Sequence, residues 1–173
     1  MHRTFATKTS RLLLGALTLG ASMLGPPLAC GAPPAPERSY FEHPPSANGP
    51  AFPFSDAVRL GDTLYVGGHI GIDPATGNAA ASPDAEARLL MDGLKLTLER
   101  AGFTMDDLVS VTVYGTDFAL YDTFNGIYRG YFHGHHPARV FIGVSKLIRG
   151  AHFEVQGVAV RAAGRAAVRA GRR

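Results

Sequence analysis

The residues with the clearest chemical potential lie in two β-type runs, residues 139–144 and 152–160, which are rich in Val, Ile and Phe. The first run opens on Arg139, and the second carries Glu154 and Gln156. Because successive strand side chains face opposite sides, Glu154 and Gln156 share one face, roughly 6–7 Å apart. A guanidinium offers a planar, two-pronged donor to a carboxylate. The sequence therefore predicts a carboxylate site where this arginine opens one strand beside polar residues of its neighbour.

Histidine provides a second candidate chemistry, through a cluster near Pro137 and two more distant residues. These are His133, His135, His136, His69 and His152. The cluster lies where a solvated loop is expected, and it lacks the HxxxH or HExxH spacing of helical zinc sites. A metal site also needs ligands that converge and a supporting shell around them. We therefore predict no metal and no cofactor, and elemental analysis would test the histidine alternative.

Local turn and cap signals indicate which elements position these residues. Residues 57–60 and 63–70, joined by a two-residue turn, predict a β-hairpin. Ser82, followed by proline and acidic residues, predicts the start of a helix whose apolar residues recur at helical spacing until Gly102. This helix is expected to cover a sheet.

The remaining elements follow the same logic. Residues 108–116 are rich in β-branched side chains and predict a strand. Residues 118–133 carry a broad aromatic stripe and predict a second helix, in which Asn125 is the one amide and needs a specific hydrogen-bond partner if buried. The predicted order is β-β-α-β-α-β-β, an α+β fold.

Charge is distributed unevenly along the chain. The net charge is +3, but basic residues gather at both ends and the middle is nearly neutral. The central domain therefore has no nucleic-acid footprint, and no specific nucleic-acid partner is predicted. The arginine-rich segment 162–173 is expected to be a basic, disordered tail.

The N-terminal segment resembles an export signal, with a basic opening, an apolar run and small residues up to position 31. We predict a signal peptide over residues 1–31, a Pro-rich linker over 32–50, and an exported protein, periplasmic or secreted. The alternative is a lipoprotein signal that ends at residue 29, in which Cys30 carries a lipid. Only in that case is a membrane a predicted partner.

Four short motifs follow one another in an order shared with a known family. They are Pro53-Phe54-Ser55-Asp56-Ala57, Leu64-Tyr65-Val66-Gly67-Gly68-His69-Ile70-Gly71, Phe124-Asn125-x-x-Tyr128, and Pro137-Ala138-Arg139 with its following strands. Together they resemble the RidA/YjgF family of imine and enamine deaminases, also called L-PSP endoribonuclease-like, and predict such a domain over residues 51–161. The resemblance implies a chorismate-mutase-like fold, in which two helices cover one face of a mixed sheet. It also implies a homotrimer with sites between subunits.

The resemblance assigns candidate roles to individual residues. Arg139 matches the arginine that binds the substrate carboxylate. Gly68 matches a glycine that lets a ligand approach the backbone, and Asn125 matches an asparagine of the second helix. Phe141 is expected to present main-chain groups to the pocket, and Phe54 stands where the family often has tyrosine.

Gln156 is the departure that bears most on activity. The resemblance places it where active deaminases carry a glutamate that activates water, and an amide cannot accept the proton of water at neutral pH. Glu154, on the same face, is the candidate that could substitute through a water chain. Two functions follow: hydrolysis of imines or enamines to keto acids and ammonia, or non-catalytic binding of small carboxylates outside the cytoplasm.

Overall fold

A computed structural model describes residues 35–43 and 52–161 of the chain. The strands are β1 (Arg38–Glu42), β2 (Ser55–Leu60), β3 (Thr63–Ile70), β4 (Leu108–Gly115), β5 (Ala138–Gly143) and β6 (Phe153–Val160), and the helices are α1 (Pro83–Arg100) and α2 (Tyr121–Arg129). The predicted signal peptide over 1–31 and tail over 162–173 lie outside the described residues, as do residues 32–34 and 44–50 of the predicted linker.

The strands form one six-stranded sheet in the order β1-β2-β3-β6-β4-β5. Strands β4 and β5 are parallel, and the other neighbours are antiparallel. α1 packs on β3 and β6, and α2 packs beside α1. The predicted α+β fold, with a mixed sheet and two helices, is confirmed.

The two faces of the sheet differ in character. The face toward the helices is buried and apolar, with Leu64, Val113 and Phe153 fully inaccessible to solvent. The opposite face, which we call the open face, carries exposed apolar side chains that include Tyr65, Val140 and Ile142. Burial of only one face is the source of the alternating pattern in these strands.

Strand β1 was not predicted, since its five residues lie within the segment 32–50 that was interpreted as a linker. Arg38–Glu42 pairs antiparallel with β2, and Phe41 packs against the core. The surrounding prolines lower the apparent strand propensity of the whole segment, although the five residues themselves contain none. The pairing shows that part of this segment belongs to the sheet.

The start of α1 agrees with the sequence prediction, whereas α2 is shorter than the helix that was predicted. The Ser82 side chain accepts a hydrogen bond from the Ala85 N–H, as the predicted cap requires. α2 is shorter than the predicted helix over 118–133, because a 3-10 turn at Phe118–Leu120 precedes it and Gly130 caps its end. Neither helix in the described ranges has the length and apolar content needed to cross a membrane.

Candidate functional site

Arg139 lies on β5, one of the two edge strands of the sheet in the described residues, with its side chain on the helix side. Its Nη2 donates to the Asn125 Oδ1 over 2.6 Å. Asn125 is a buried residue of α2, so this contact provides a partner for an amide oxygen that burial would otherwise leave unpaired. Among the residues described, no carboxylate forms an ion pair with Arg139. The guanidinium is thus oriented by a neutral group and keeps its positive charge uncompensated.

Aromatic rings of α2 flank the same guanidinium. The Cζ of Arg139 lies 4.6 Å from the ring centroid of Tyr128 and 5.9 Å from that of Tyr121. Burial raises the pKa of Tyr128 to about 12, although the nearby Arg139 charge acts in the opposite direction. Tyr128 therefore stays neutral at physiological pH, and its ring face supports the cation without neutralising it.

Glu154 and Gln156 lie together on the open face of β6, as predicted, while Phe153 and Val155 are buried on the other face. Gln156 Nε2 donates to the Tyr114 hydroxyl over 3.0 Å. The Glu154 carboxylate lies over Gly68, so close that a Cβ at Gly68 would overlap its Oε1. The acid and the amide thus have different neighbours, and only the acid lies at the glycine expected to meet a ligand.

The expected juxtaposition of Arg139 with Glu154 and Gln156 within one chain is wrong. β4 lies between β5 and β6, so these two strands are not neighbours. Arg139 is also on the helix side, whereas Glu154 and Gln156 are on the open face. The sequence predicted that the two strands are neighbours, but β4 pairs with both β5 and β6 and so lies between them.

The backbone at Gly68 has an irregular conformation that the sequence did not reveal. The β3–β6 register shifts between Val66 and His69, where β3 has one residue more than β6. The His69 Nδ1 lies 2.9 Å from the Gly67 carbonyl oxygen, and its Nε2 lies 2.8 Å from the Thr97 Oγ1. This β-bulge presents Gly68 beside the Glu154 carboxylate.

The protonation of His69 follows from its partners and its burial. Desolvation by burial lowers the pKa of His69, although the hydrogen bond to Gly67 and the charge of Asp56 raise it. The Gly67 carbonyl can only accept, so Nδ1 carries the proton, and the neutral Nε2 accepts from the Thr97 hydroxyl. From the sequence, His69 was a possible metal ligand and part of the second family motif, and nothing indicated this link between α1 and the bulge.

Phe54 and Phe141 lie in different parts of the molecule. Phe54 is exposed at the edge of a cavity of ≈ 280 Å³, and its ring centroid is 5.3 Å from that of Phe52. Phe141 follows Arg139 on the same strand face and packs against Tyr121, with 5.1 Å between ring centroids. Arg139, Asn125 and Phe141 therefore form one group, and Gly68 and Glu154 form another.

A larger cavity, ≈ 530 Å³, lies between α1 and α2, and none of the predicted site residues lines it. The histidines of the described segments do not converge either. His69 binds Thr97, His152 Nδ1 lies 2.7 Å from Glu86 Oε2, and His136 lies beside Tyr128. In residues 35–43 and 52–161, no three His, Cys, Asp or Glu side chains form a group that could hold a metal ion.

Comparisons with known proteins agree on one family. Residues 45–161 match the family model described as endoribonuclease L-PSP. The chain is 33% identical over 123 residues to the 2-iminobutanoate/2-iminopropanoate deaminase of Escherichia coli K12, covering 69% of this chain and 94% of that protein. It is 37% identical over 108 residues to a RutC family protein of Sulfurisphaera tokodaii, covering 61% of this chain and 86% of that protein.

Solved structures show the same similarity. The crystal structure of Escherichia coli TdcF with bound serine superposes with a TM-score of 0.64 at 28% identity, covering 72% of this chain and all of that one (100%). RidA from an Antarctic Psychrobacter species gives a TM-score of 0.61 at 28% identity, covering 68% of this chain and 93% of that one.

Proposed function

The chain belongs to the RidA/YjgF family, and on that premise we propose that it binds small 2-imino and 2-keto carboxylates and hydrolyses imines or enamines to keto acids and ammonia. The observation that carries the proposal is the Arg139 guanidinium, which is half-buried, fixed by Asn125 and not neutralised by a carboxylate of the described chain. A fixed, planar cation of this kind fits the carboxylate that all these compounds share.

The proposed site is shared between subunits of a homotrimer. Within one chain the sheet separates Arg139 from Glu154, so one protomer supplies only half of the required groups. A second copy could present its Gly68 and Glu154 to a ligand held by Arg139. The exposed apolar side chains of the open face, such as Tyr65 and Val140, favour such an association because contact would remove them from water.

The proposed reaction adds water to the C=N bond of the imine. The Glu154 carboxylate takes a proton from water as the water oxygen bonds to C2, the C=N electron pair moves onto nitrogen, and the Glu154 carboxyl then gives that proton to the nitrogen. In the resulting carbinolamine, Glu154 takes the hydroxyl proton and passes it to the nitrogen, the C–N bond breaks with its electron pair leaving on ammonia, and the O–H electron pair forms the C=O bond of the 2-keto acid. Arg139 holds the carboxylate throughout and fixes C2 relative to the water.

The second candidate function is non-catalytic binding of the same carboxylates. The observation that favours it is Gln156, an amide whose Nε2 is bound to the Tyr114 hydroxyl and which cannot act as a base. Under this alternative Arg139 retains its role and water activation is lost.

Calorimetric titration of pyruvate and 2-ketobutyrate tests the site common to both functions. Arg139→Ala removes a charge-assisted, two-pronged contact and is expected to cost about 2 kcal/mol or more, roughly 30-fold in affinity. Arg139→Lys keeps the charge but not the planar guanidinium, so its affinity should lie between those of the wild type and Arg139→Ala. Affinity in Arg139→Ala equal to that of the wild type would refute the site.

Export remains part of the proposal and concerns residues outside the described ranges. The basic and apolar segment before residue 31 supports delivery to the periplasm or the medium. Fractionation of cells with and without Cys30→Ser tests the lipid-anchored form. A membrane-bound wild type and a released variant would support the anchor, and identical distribution would exclude it.

A further inference from the structure

The surface that continues from Arg139 along β5 is aromatic. Phe141 lies two residues further on the same strand face, roughly 6–7 Å away along the strand. The ring centroid of Tyr121 is 5.1 Å from that of Phe141, and the ring centroid of Phe118 is 6.1 Å from it. We call Phe118, Tyr121 and Phe141 the aromatic shelf.

Two glycines leave the space that the shelf occupies. The Cζ of Phe118 lies 2.7 Å from the point where a Cβ would stand on Gly143, and the Cε1 of Phe141 lies 2.6 Å from the corresponding point on Gly115. Gly115 and Gly143 pair with each other across β4 and β5. The rings therefore lie directly on the backbone of the sheet edge, a position that any larger residue at either glycine would block.

The shelf is also open to a ligand. Phe118 is 66% exposed and Tyr121 is 41% exposed, although aromatic side chains of this size usually bury most of their surface. The Tyr121 ring lies beside the guanidinium, with the Cζ of Arg139 5.9 Å from its centroid, and Phe118 continues the same surface through Phe141. An anion-binding group and an open aromatic surface thus lie side by side.

From this arrangement we infer that the site prefers 2-imino and 2-keto acids with an aromatic side chain over those with a short aliphatic one. The inference rests on the proposed function, in which Arg139 binds the carboxylate. The methyl group of pyruvate ends close to the carboxylate that Arg139 binds. An aryl group attached at C3 reaches further, across the roughly 6–7 Å that separates Arg139 from Phe141 along β5. Such a ring would gain offset or edge-to-face contacts with Tyr121 and Phe141 and cover Phe118.

The test compares phenylpyruvate with pyruvate by calorimetry on the purified full chain. Phenylpyruvate should bind at least about tenfold more tightly, which corresponds to about 1.4 kcal/mol. Phe118→Ala should reduce that ratio to about threefold or less and leave the pyruvate affinity within about twofold, because Phe118 is a surface residue that pyruvate does not reach. Tyr121→Leu, which stays apolar but lacks the ring, should also reduce the ratio.

Leu96→Ala is the matched control, because Leu96 is an apolar residue on α1 with 58% exposure and lies outside the shelf. It should change neither affinity. Equal affinity of the wild type for both acids, with both affinities lowered roughly 30-fold or more in Arg139→Ala, would overturn the aromatic preference and retain the proposed function. Affinity for the two acids that Arg139→Ala leaves equal to that of the wild type, or no binding of either acid to the wild type, would overturn both.

The shelf could instead be covered by a second copy of the chain. In that case Phe118→Ala would shift the oligomeric state in sedimentation equilibrium without changing the phenylpyruvate-to-pyruvate ratio. That outcome would also overturn the inference.

Discussion

Glu154 and Gln156 are two residues apart on one strand face, but their surroundings suit them to different roles. The Gln156 amide is engaged by the Tyr114 hydroxyl, whereas the Glu154 carboxylate lies over the backbone of Gly68. From the sequence, Gln156 stood out because the family resemblance places it where active deaminases carry a glutamate. The structure supplies a nearby acid in contact with the glycine, which favours Glu154 as the group that activates water.

Ammonia release from enzymatically generated 2-aminoacrylate distinguishes hydrolysis from simple binding. Glu154→Gln keeps the shape and removes the base, so we expect a loss of about 10²–10⁴-fold in rate with retained binding of pyruvate. Gln156→Glu should change the wild-type rate little. Activity that appears only in Gln156→Glu would contradict the role of Glu154 and favour the non-catalytic alternative.

Protonation of His69, which lies at the β-bulge, is expected to lower the stability of the fold in acid. Because burial lowers its pKa, the folded chain binds fewer protons at this ring than the unfolded chain, in which the pKa is about 6.5. The contribution of neutral His69 to the free energy of unfolding is therefore fully present above pH 6.5. It is lost as the pH falls from there through the lowered pKa of the folded chain. Asp56, which favours the charged ring, and His43, which opposes it, face the same group.

Urea unfolding of wild type and His69→Gln at a fixed protein concentration measures this effect. A glutamine can still donate to the Gly67 carbonyl and accept from Thr97, but it does not titrate. The wild type should lose more free energy of unfolding than His69→Gln between pH 7.5 and pH 5. Parallel pH profiles for the two proteins would show that His69 does not carry the acid sensitivity.

At the scale of elements, the sequence predicted what local signals determine. The β2–β3 hairpin and the start of α1 depend on a two-residue turn and on Ser82, so they were placed within about two residues. The position of β6 between β3 and β4 depends on pairing between distant segments, which periodicity does not encode. For the same reason the sequence identified Arg139 and Glu154 as candidates but placed them wrongly on neighbouring strands.

Substitution by alanine is expected to have very different effects on stability at two glycines near the end of β3. At Gly68 an added Cβ would overlap only the Glu154 carboxylate, the end of a flexible side chain, so Gly68→Ala should change stability by about 0.5 kcal/mol or less. At Gly71 it would overlap the backbone carbonyl oxygen of Glu86 in α1, which cannot turn away. Gly71→Ala should therefore cost about 1–3 kcal/mol or more.

Thermal unfolding and ammonia release, measured on the same samples, separate the two effects. Gly68→Ala should keep its melting temperature and lose activity, because the displaced carboxylate no longer lies over the backbone. Gly71→Ala should melt several degrees lower. A large loss of stability in Gly68→Ala would mean that Glu154 is held rigidly in its place.

For the whole molecule, the sheet itself divides the proposed site. Arg139 and Asn125 are on its helix side and at its edge, and Glu154 and Gly68 are on the open face. The proposed association through the open face would account for both the exposed apolar residues there and the incomplete chemistry of one chain. The proposed trimer is then a requirement for catalysis as well as a means of burying apolar surface.

Mixing two inactive variants tests this division directly. In a trimer built from equal amounts of Arg139→Ala and Glu154→Gln chains, a shared site regains both groups wherever the intact arginine of one chain meets the intact glutamate of the next. Random assembly in a cyclic trimer gives about one quarter of the sites this composition, so about a quarter of the wild-type ammonia release should return. Each variant refolded alone is the control and should stay inactive. If trimers shown by mass spectrometry to be mixed remain inactive, the arginine and the glutamate do not serve one site across a subunit boundary.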